Sequence, residues 1–418
     1  MAIEDIQDIR LGIIGTGSMG KGLLYQSHIT PGVRCAAICD VKIERCTGAL
    51  KQFGMNYEIV DSLKALEDAV RRKVIAVCSS GLWLAECAGL DAIIESSSAI
   101  GPAAEHCLIA LERRKHLILM NSEIDLMFSP LLHREAKKHG VVCTSCDGDQ
   151  YGVLKRLIDD IKRWGFELVM AGNIKGFLDR YATPATLVAE ADKRALDYRM
   201  CTSYTDGTKL NIEMAIIANT FNLRASQPGM TGPRIGHVNQ VFECFDFAKL
   251  WENRQPVVDY ILGAEPGGGV FAVGYCENPY QQGMLTYYKM GGGPFYLFYR
   301  PYHLCHIEAM DAVFKAVRHG QCFMGPDAGM RTNVYTCAKR HLPAGTVLDG
   351  IGGYECYGII EAEDSKGLPI GLAEGVVLNR SVSKDERIAL SDISYDQDRL
   401  DFRLYAKTLA LAPNGAKT

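Results

Sequence analysis

Two side chains of opposite charge, Lys209 and Glu213, lie one helical turn apart in a segment that is otherwise almost entirely apolar. The segment TDGTKLNIEMAIIANTFNL predicts a helix that is buried nearly all round, with Asp206 close to its start. An exposed salt bridge is one explanation, but lysine before glutamate is the weaker order on a helix, and a solvated face carries more charges. Because buried charges are costly unless something offsets them, the pattern favours a catalytic or substrate-binding site made of Lys209, Glu213 and Asp206.

A glycine pattern near the N-terminus predicts a second kind of chemistry, the binding of a pyrophosphate. In IRLGIIGTGSMGKGL, the pattern Gly-x-Gly-x-x-Gly follows an apolar strand directly and opens a helix. The first glycine allows a tight turn, the second lets the backbone approach the pyrophosphate, and the third lets helix and strand pack closely. The helix N-terminus adds oriented N–H groups and a partial positive charge. The sequence therefore predicts a dinucleotide site that includes all six residues of this turn: Gly15, Thr16, Gly17, Ser18, Met19 and Gly20.

The acid that ends the second predicted strand, Asp40, is placed to bind the hydroxyls of the adenosine ribose. An acid at this position favours NAD, but Lys42 and Arg45 follow closely and could neutralise the extra phosphate of NADP. The choice between NAD(H) and NADP(H) therefore stays open. Polar residues at the ends of later predicted strands should also face the cofactor in this fold. They are Ser79, Ser80, Ser96 and Asn121, of which the last is expected beside the nicotinamide.

A further lysine, Lys175 in AGNIKGF, follows another predicted strand and is flanked by Gly172 and Gly176. A lysine between glycines at a strand end can reach a bound carbonyl or phosphate, although a surface position is an equally good explanation. Hydride transfer to a carbonyl develops negative charge on oxygen, so the site must offer a proton donor or a cation. Lys209 or Lys175 could fill that role, with Asp206 and Glu213 tuning it or holding substrate hydroxyls.

The elements that must position these residues alternate between short apolar runs and helical patterns up to residue 150, which predicts an α/β fold with a doubly wound Rossmann sheet. Its last predicted helix is Ser129–His139 and its last strand Val141–Cys143. Beyond it, the runs VFAVGYCE, MLTYYKM and PFYLFYR predict a mostly antiparallel sheet in an α+β substrate domain. Short strands and glycine turns after residue 330 predict a small all-β module. We expect three domains: residues 1–150 bind the dinucleotide, residues 151–330 bind the substrate and form the oligomer, and residues 331–418 form the β module. The last helix of the second domain can return to the first domain.

Composition excludes several other functions. The formal net charge of -4 gives no electrostatic reason to expect a nucleic acid or an anionic membrane as partner. The first ten residues carry Glu4, Asp5 and Asp8 and no apolar core, unlike a signal peptide. The 15 cysteines have no repeating frame, which indicates reduced thiols and a cytoplasmic location. Cys143 and Cys146 have no second cysteine pair with which to form a zinc site, so we predict no metal-ligand residues. The sequence does not decide whether the protein requires a divalent metal. We expect a homo-oligomer that acts on a small molecule.

Several motifs together resemble the homoserine-dehydrogenase-like oxidoreductases that carry a C-terminal SAF (antifreeze-like) domain of β-clip-like fold. The motifs are IIGTGSMG, LMNSEID, SYTDGTKLNIEMAIIAN, YRPYHLCHIE and AKRHLPAGTVLDGIGGY, and the resemblance covers essentially the whole chain. It implies that Asn121 and Glu123 lie near nicotinamide and substrate. It also implies that the pocket is lined by Lys175, Asp206, Lys209 and Glu213.

The resemblance also bears on the reaction. Some members of this family are reductoisomerases that convert 1-deoxyxylulose 5-phosphate with NADPH in isoprenoid biosynthesis, and the resemblance implies a similar enzyme. A homoserine-dehydrogenase-type oxidoreductase of semialdehydes and alcohols is the alternative. A protein that only senses the dinucleotide is a second alternative, but charges on a buried helix favour an enzyme.

Overall fold

The computed structural model describes residues 8–411, so Glu4 and Asp5 lie outside the described residues. The described chain forms two compact units, each assembled from separate stretches of sequence. The first unit contains residues 8–149, 304–325 and 399–411, and the second contains residues 150–303 and 326–398. No helix in residues 8–411 is both long and apolar enough to cross a membrane.

The first unit is built on a seven-stranded sheet in which every neighbouring pair of strands is parallel. Its strands are β1 (Ile9–Ile14), β2 (Val33–Cys39), β3 (Tyr57–Ile59), β4 (Ile75–Cys78), β5 (Ala92–Glu95), β6 (His116–Leu119) and β7 (Cys143–Ser145). The strand order is β3-β4-β2-β1-β5-β6-β7, so the direction of winding reverses at β1. Ligands of doubly wound sheets bind outside the carboxyl ends of the strands at such a reversal. The predicted Rossmann sheet is therefore present, and its reversal lies beside the glycine turn.

Helices connect these strands: α1 (Ser18–Ile29), α2 (Ile43–Gln52), α3 (Leu63–Arg71), α4 (Gly81–Glu86), α5 (Gly101–Glu112) and α6 (Ser122–His139). The prediction that the last helix begins at Ser129 was wrong. The helix begins seven residues earlier, at Ser122, because Asn121 caps it there and Pro130 is accommodated inside it. The last strand lies at Cys143–Ser145 rather than Val141–Cys143. The earlier helix start puts Glu123 in the first turn of α6.

The second unit begins with α7 (Gln150–Arg163) and contains a mixed five-stranded sheet in the order β12-β11-β8-β10-β9. Its strands are β8 (Glu167–Lys175), β9 (Arg224–Ala225), β10 (Val257–Leu262), β11 (Val270–Tyr275) and β12 (Phe295–Arg300). The runs VFAVGYCE and PFYLFYR form the predicted antiparallel strands β11 and β12, but the sheet as a whole is mixed, because β10 runs parallel to both β8 and β9. Only β11 makes antiparallel pairs, with β8 and β12. The reason is the long helical crossover between β8 and β10, which brings the chain back in the same direction.

The helices between β8 and β12 are α8 (Val188–Arg194), α9 (Tyr198–Thr205), α10 (Thr208–Phe221), α11 (Val241–Cys244), α12 (Phe247–Leu250) and α13 (Pro279–Tyr287). Helix α13 includes most of the MLTYYKM run that was predicted as a strand. Asn278 caps this helix by accepting a hydrogen bond from Gln281 N at 3.1 Å, and Pro279 fits its first position. Local capping thus overrides the strand preference of the aromatic residues. On the sheet, Val169, Ile261 and Phe271 share a buried apolar cluster with Phe247 and Trp251.

The remaining helices α14 (Cys305–Glu308), α15 (Met310–His319) and α16 (Leu400–Leu409) lie in the first unit. Two antiparallel pairs lie in the second: β13 (Thr332–Ala338) with β14 (Cys356–Ala362), and β15 (Val377–Leu378) with β16 (Ile393–Ser394). Residues 331–398 thus contain the predicted short strands, but belong to the same unit as the substrate sheet. The end of the chain is helical at α16, whereas an all-β module was predicted to continue to residue 418.

Candidate functional site

The glycine turn after β1 has the geometry that a pyrophosphate requires. Gly15 has φ +89°, and a Cβ there would lie 2.6 Å from Ser97 N, so only glycine fits. A Cβ on Gly20 would overlap the Gly15 carbonyl oxygen, which explains why helix and turn approach so closely. Gly17 is exposed, and a Cβ there would meet nothing within 4 Å. The three glycines therefore have three different functions, and only Gly17 borders open space.

Helix α1 presents its N-terminus at this open space. Its first residue is Ser18, which is exposed, and its N-cap is Gly17, whose lack of a side chain leaves the cap unmade. Backbone N–H groups in a first helical turn have no acceptor within the helix, and they carry the positive end of the helix dipole. An anion such as a pyrophosphate satisfies both. The residues of this turn therefore fit a dinucleotide.

Asp40, directly after β2, is tied to the same turn. Its carboxylate accepts hydrogen bonds from Thr16 N at 2.8 Å and from Lys42 N at 2.9 Å, and it is only 7% exposed. Arg45 Nη1 lies 3.9 Å from its Oδ1, and both Lys42 and Arg45 are exposed. The carboxylate is thus held against the glycine turn by backbone N–H groups, with the Arg45 guanidinium as the cation beside it. Both NAD and NADP are compatible with this arrangement.

The other polar residues predicted to face the cofactor also organise the strand ends. Ser96 Oγ donates to the carbonyls of Ile14 and Gly15, each at 2.9 Å, and so joins β5 to the glycine turn. Ser80 caps α4 through Trp83 N at 3.4 Å, and Ser79 is exposed next to it. These three serines lie at the carboxyl ends of β4 and β5, on the edge of the sheet where the prediction placed them.

Asn121 and Glu123 lie at the start of α6. The Asn121 side chain accepts from Ile124 N at 3.2 Å and donates to Ala99 O at 2.8 Å. Both ends of its amide are therefore used in capping the helix and holding the preceding loop. The Glu123 carboxylate is 7% exposed and accepts from Ser122 Oγ at 3.3 Å.

Sequence reasoning missed Glu95, a fully buried carboxyl at the end of β5. Burial raises its pKa to about 7, and the hydrogen bond from Ser97 N at 2.8 Å opposes that rise only in part. Its other oxygen, Oε2, has no hydrogen-bond partner among the described residues. An acid that ends an all-apolar strand was the available signal, since the sequence there is AIIE.

The predicted polar site in the second unit is a buried cluster around Glu213. All residues of α10 from Thr208 to Thr220 are buried, Lys209 and Glu213 included, which rules out an exposed salt bridge. Glu213 Oε2 accepts from Asn173 at 3.3 Å and lies 3.4 Å from Lys175 Nζ. The tertiary structure thus places Lys175 of β8 next to Glu213 of α10.

Gln150, at the start of α7, completes this cluster. Its Oε1 accepts hydrogen bonds from Lys175 Nζ and, at 3.2 Å, from Asn173 Nδ2. The Lys175 side chain is 18% exposed, whereas Lys209 as a residue is 6% exposed. Lys175 is therefore a positioned ammonium that still reaches the surface of its unit.

Asp206 belongs to a different pair. Its carboxylate lies 2.8 Å from Lys339 Nζ, and the same ammonium donates to Ala182 O at 2.7 Å and Gly353 O at 2.8 Å. Burial raises the pKa of Asp206, and the Lys339 charge partly opposes that rise. Lys339 was not singled out in the sequence, because it is distant from Asp206 in the chain and follows an ordinary strand.

Comparison with known proteins gives one family match. Residues 148–309 match the model of the catalytic domain of the oxidoreductase DRL family. No curated protein matches the sequence. Among solved structures, a probable dehydrogenase from Thermotoga maritima is 13% identical with a TM-score of 0.43, over 75% of this chain and 90% of the other.

Two further solved structures are similar over about half of their own chains. The 1-deoxy-D-xylulose 5-phosphate reductoisomerase from Zymomonas mobilis in complex with NADPH is 15% identical with a TM-score of 0.35, over 50% of this chain and 57% of the other. The myo-inositol dehydrogenase from Lactobacillus casei in complex with NAD(H) and myo-inositol is 16% identical with a TM-score of 0.31, over 45% and 53%.

The family match and the glycine turn define the class of this protein. The matched model describes an oxidoreductase catalytic domain, and it begins within two residues of α7, the helix that contributes Gln150 to the Glu213 cluster. The geometry at Gly15, Gly17 and Gly20 fits a dinucleotide. The chain is an NAD(P)-dependent oxidoreductase.

Proposed function

We propose that this protein transfers hydride between NAD(P)H and a small polar carbonyl or hydroxy substrate, with or without a phosphate group. The observation that carries the proposal is the cluster of Lys175, Glu213 and Gln150. Its charged side chains meet beside the buried and mostly apolar helix α10. A bound nicotinamide would supply or accept the hydride. The chain's own residues must then bind the substrate and manage the charge on its oxygen.

Lys175 is the residue that we propose for this charge. An ammonium stabilises the oxyanion that develops as a carbonyl is reduced, and it can also deliver the proton. Glu213 and Gln150 hold the ammonium by accepting hydrogen bonds from two of its three N–H groups, which leaves the third N–H group for a ligand. Lys209, the first choice from the sequence, remains the second candidate because it lies one turn before Glu213 on α10.

The most specific form of the proposal is an enzyme similar to the 1-deoxy-D-xylulose 5-phosphate reductoisomerases, acting in isoprenoid biosynthesis. A homoserine-dehydrogenase-type reaction on a semialdehyde or alcohol is the alternative, and the β13–β16 segment is proposed as an SAF-like module in either case. A homo-oligomer in the cytoplasm is part of the same proposal. In this proposal, Asn121 and Glu123 lie near the nicotinamide and the substrate.

Turnover of a substrate panel tests the proposal. The purified protein is assayed for NADPH and NADH oxidation with phosphorylated ketoses, semialdehydes and keto acids, with and without Mg²⁺. A Lys175→Met variant tests the role of the lysine, because methionine keeps the apolar stem and removes only the ammonium. We expect one substrate class to be reduced by the parent and to lose most of its turnover in the variant. Tight dinucleotide binding without turnover of any class would instead support a dinucleotide sensor.

A further inference from the structure

A small cavity in the second unit has a composition that neither the cofactor nor the Glu213 cluster explains. It has a volume of about 190 Å³ and opens where the loop after β8, the start of α10, the end of β10 and strand β14 meet. Its lining includes Arg180, Tyr260 and Tyr357, together with the apolar residues Leu178, Leu210, Leu262 and Ile359. None of Lys175, Lys209, Glu213, Gln150 and Asn173 lines it.

The guanidinium of Arg180 has no salt-bridge partner among the residues that line this cavity. Asp206 also lines the cavity, but its carboxylate is neutralised by Lys339 at 2.8 Å. Arg180 is exposed and forms no salt bridge within residues 8–411, although its charge helps to lower the pKa of Asp385, whose carboxylate accepts hydrogen bonds from Tyr181 and Tyr357. The guanidinium carbon of Arg180 lies 5.3 Å from the centre of the Tyr357 ring. A cation held over an aromatic face keeps its N–H edge available for an anion.

Tyr260 supplies a second donor. Its hydroxyl has no hydrogen-bond partner in the part of the chain that the structure describes. Burial and the nearby Asp259 raise the pKa of this phenol, so it stays protonated near neutral pH and can donate a hydrogen bond. The Asp259 carboxylate is itself occupied by Thr231 N at 3.0 Å and Gly232 N at 2.9 Å. The ring lies directly against Gly232, where a Cβ would overlap it.

We propose that this cavity binds a small organic monocarboxylate, whose carboxylate contacts Arg180 and Tyr260 and whose short apolar body contacts the leucine and isoleucine side chains. The guanidinium fork matches the two oxygens of a carboxylate. The volume is below the roughly 300 Å³ of usual ligand pockets, which limits the ligand to a few carbon atoms. The apolar wall distinguishes this ligand from inorganic phosphate, which has no apolar part.

Calorimetry with defined probes tests this site. We use isovalerate, its uncharged analogue isovaleramide and inorganic phosphate, each titrated into the full-length protein without dinucleotide. Isovalerate should bind at least about tenfold more tightly than isovaleramide, and more tightly than phosphate, with a dissociation constant on the order of millimolar. Phosphate binding as tight as isovalerate binding would overturn the assignment of a carboxylate with an apolar body.

Two variants and one control locate the binding. Arg180→Met should weaken isovalerate binding at least about tenfold, and Tyr260→Phe by a smaller factor. Arg194→Met is the matched control, since Arg194 is an exposed arginine of the same unit that pairs with Glu190 and does not line the cavity. Unchanged affinity in Arg180→Met, an equal loss in Arg194→Met, or no binding of isovalerate at millimolar concentration would each overturn the proposal. Isovalerate has no reducible carbonyl, so these results do not depend on the proposed hydride transfer.

Discussion

The carboxylate of Asp206 lies 2.8 Å from the ammonium of Lys339, and the two side chains are 0% and 3% exposed. Asp206 also accepts a hydrogen bond from Thr208 N at 2.9 Å, at the start of α10. The pair therefore fixes the start of the helix that carries Lys209 and Glu213 to a residue just after β13.

Removing one partner of this pair should destabilise the second unit strongly. Lys339→Met leaves the Asp206 charge buried without its cation, which typically costs about 3–5 kcal/mol of unfolding free energy. Urea unfolding measures the change. Removing the exposed Arg194–Glu190 pair by Arg194→Met should change the free energy by about 1 kcal/mol or less. A Lys339→Met variant as stable as that control would show that the pair is not structural.

Gly17→Val should weaken dinucleotide binding at least tenfold, or by about 1.4 kcal/mol, without unfolding the protein. A Cβ at Gly17 meets nothing within 4 Å, so we expect the fold to tolerate valine there, while the valine side chain occupies the space that the pyrophosphate needs. Titration calorimetry with NADPH and NADH measures the loss. Gly48→Val is the control, because Gly48 in α2 also borders open space. Equal cofactor affinities of parent and Gly17→Val would remove the glycine turn from the site.

The stability of the first unit should fall as the pH rises, because of Glu95. Its pKa is about 7 in the folded protein and 4.5 ordinarily, so the folded state holds this proton more tightly. Its contribution is full below about pH 4.5 and is lost as the pH rises to about 7, a change of up to about 3 kcal/mol. We compare urea unfolding of the parent and of Glu95→Gln at about pH 5.5 and 8.

The Glu95→Gln variant should show a smaller loss of stability between these two pH values than the parent does. Glu105→Gln, an exposed position on α5, should behave like the parent. Identical pH dependence in the parent and in Glu95→Gln would mean that Glu95 titrates as an ordinary glutamate.

Substitution of the two lysines tests the roles in hydride transfer that we propose for them. Lys175→Met should lower the single-turnover rate by about 10²–10³-fold, equivalent to about 2.7–4 kcal/mol, with little effect on dinucleotide affinity. We expect a smaller loss for Lys209→Met, because Lys209 is 6% exposed and has less access to a ligand. A Lys175→Met rate within about threefold of the parent, together with a large loss in Lys209→Met, would assign the oxyanion to Lys209 instead.

Local features of this chain were predictable from its sequence. The strand, glycine turn and helix at residues 9–29 depend on spacing within one βα unit, and so does the position of Asp40 after β2. The burial of α10 followed from its apolar composition, which leaves no solvated face. In each case the determining interactions are between residues near in sequence, or between a whole face and the solvent.

The tertiary structure alone decided which charged groups meet. Lys175 joins Glu213 because α10 packs against α7 and β8, and Asp206 joins Lys339 because β13 and β14 pack against α10. Such pairs require the path of the chain between distant elements, which no local spacing encodes. The parallel pairing of β8 and β10 and the helical state of Pro279–Tyr287 were also missed. The parallel pairing follows from the crossover between β8 and β10. The helix at Pro279–Tyr287 forms because its cap outweighs the strand preference of aromatic residues, which depends on packing context more than on residue type.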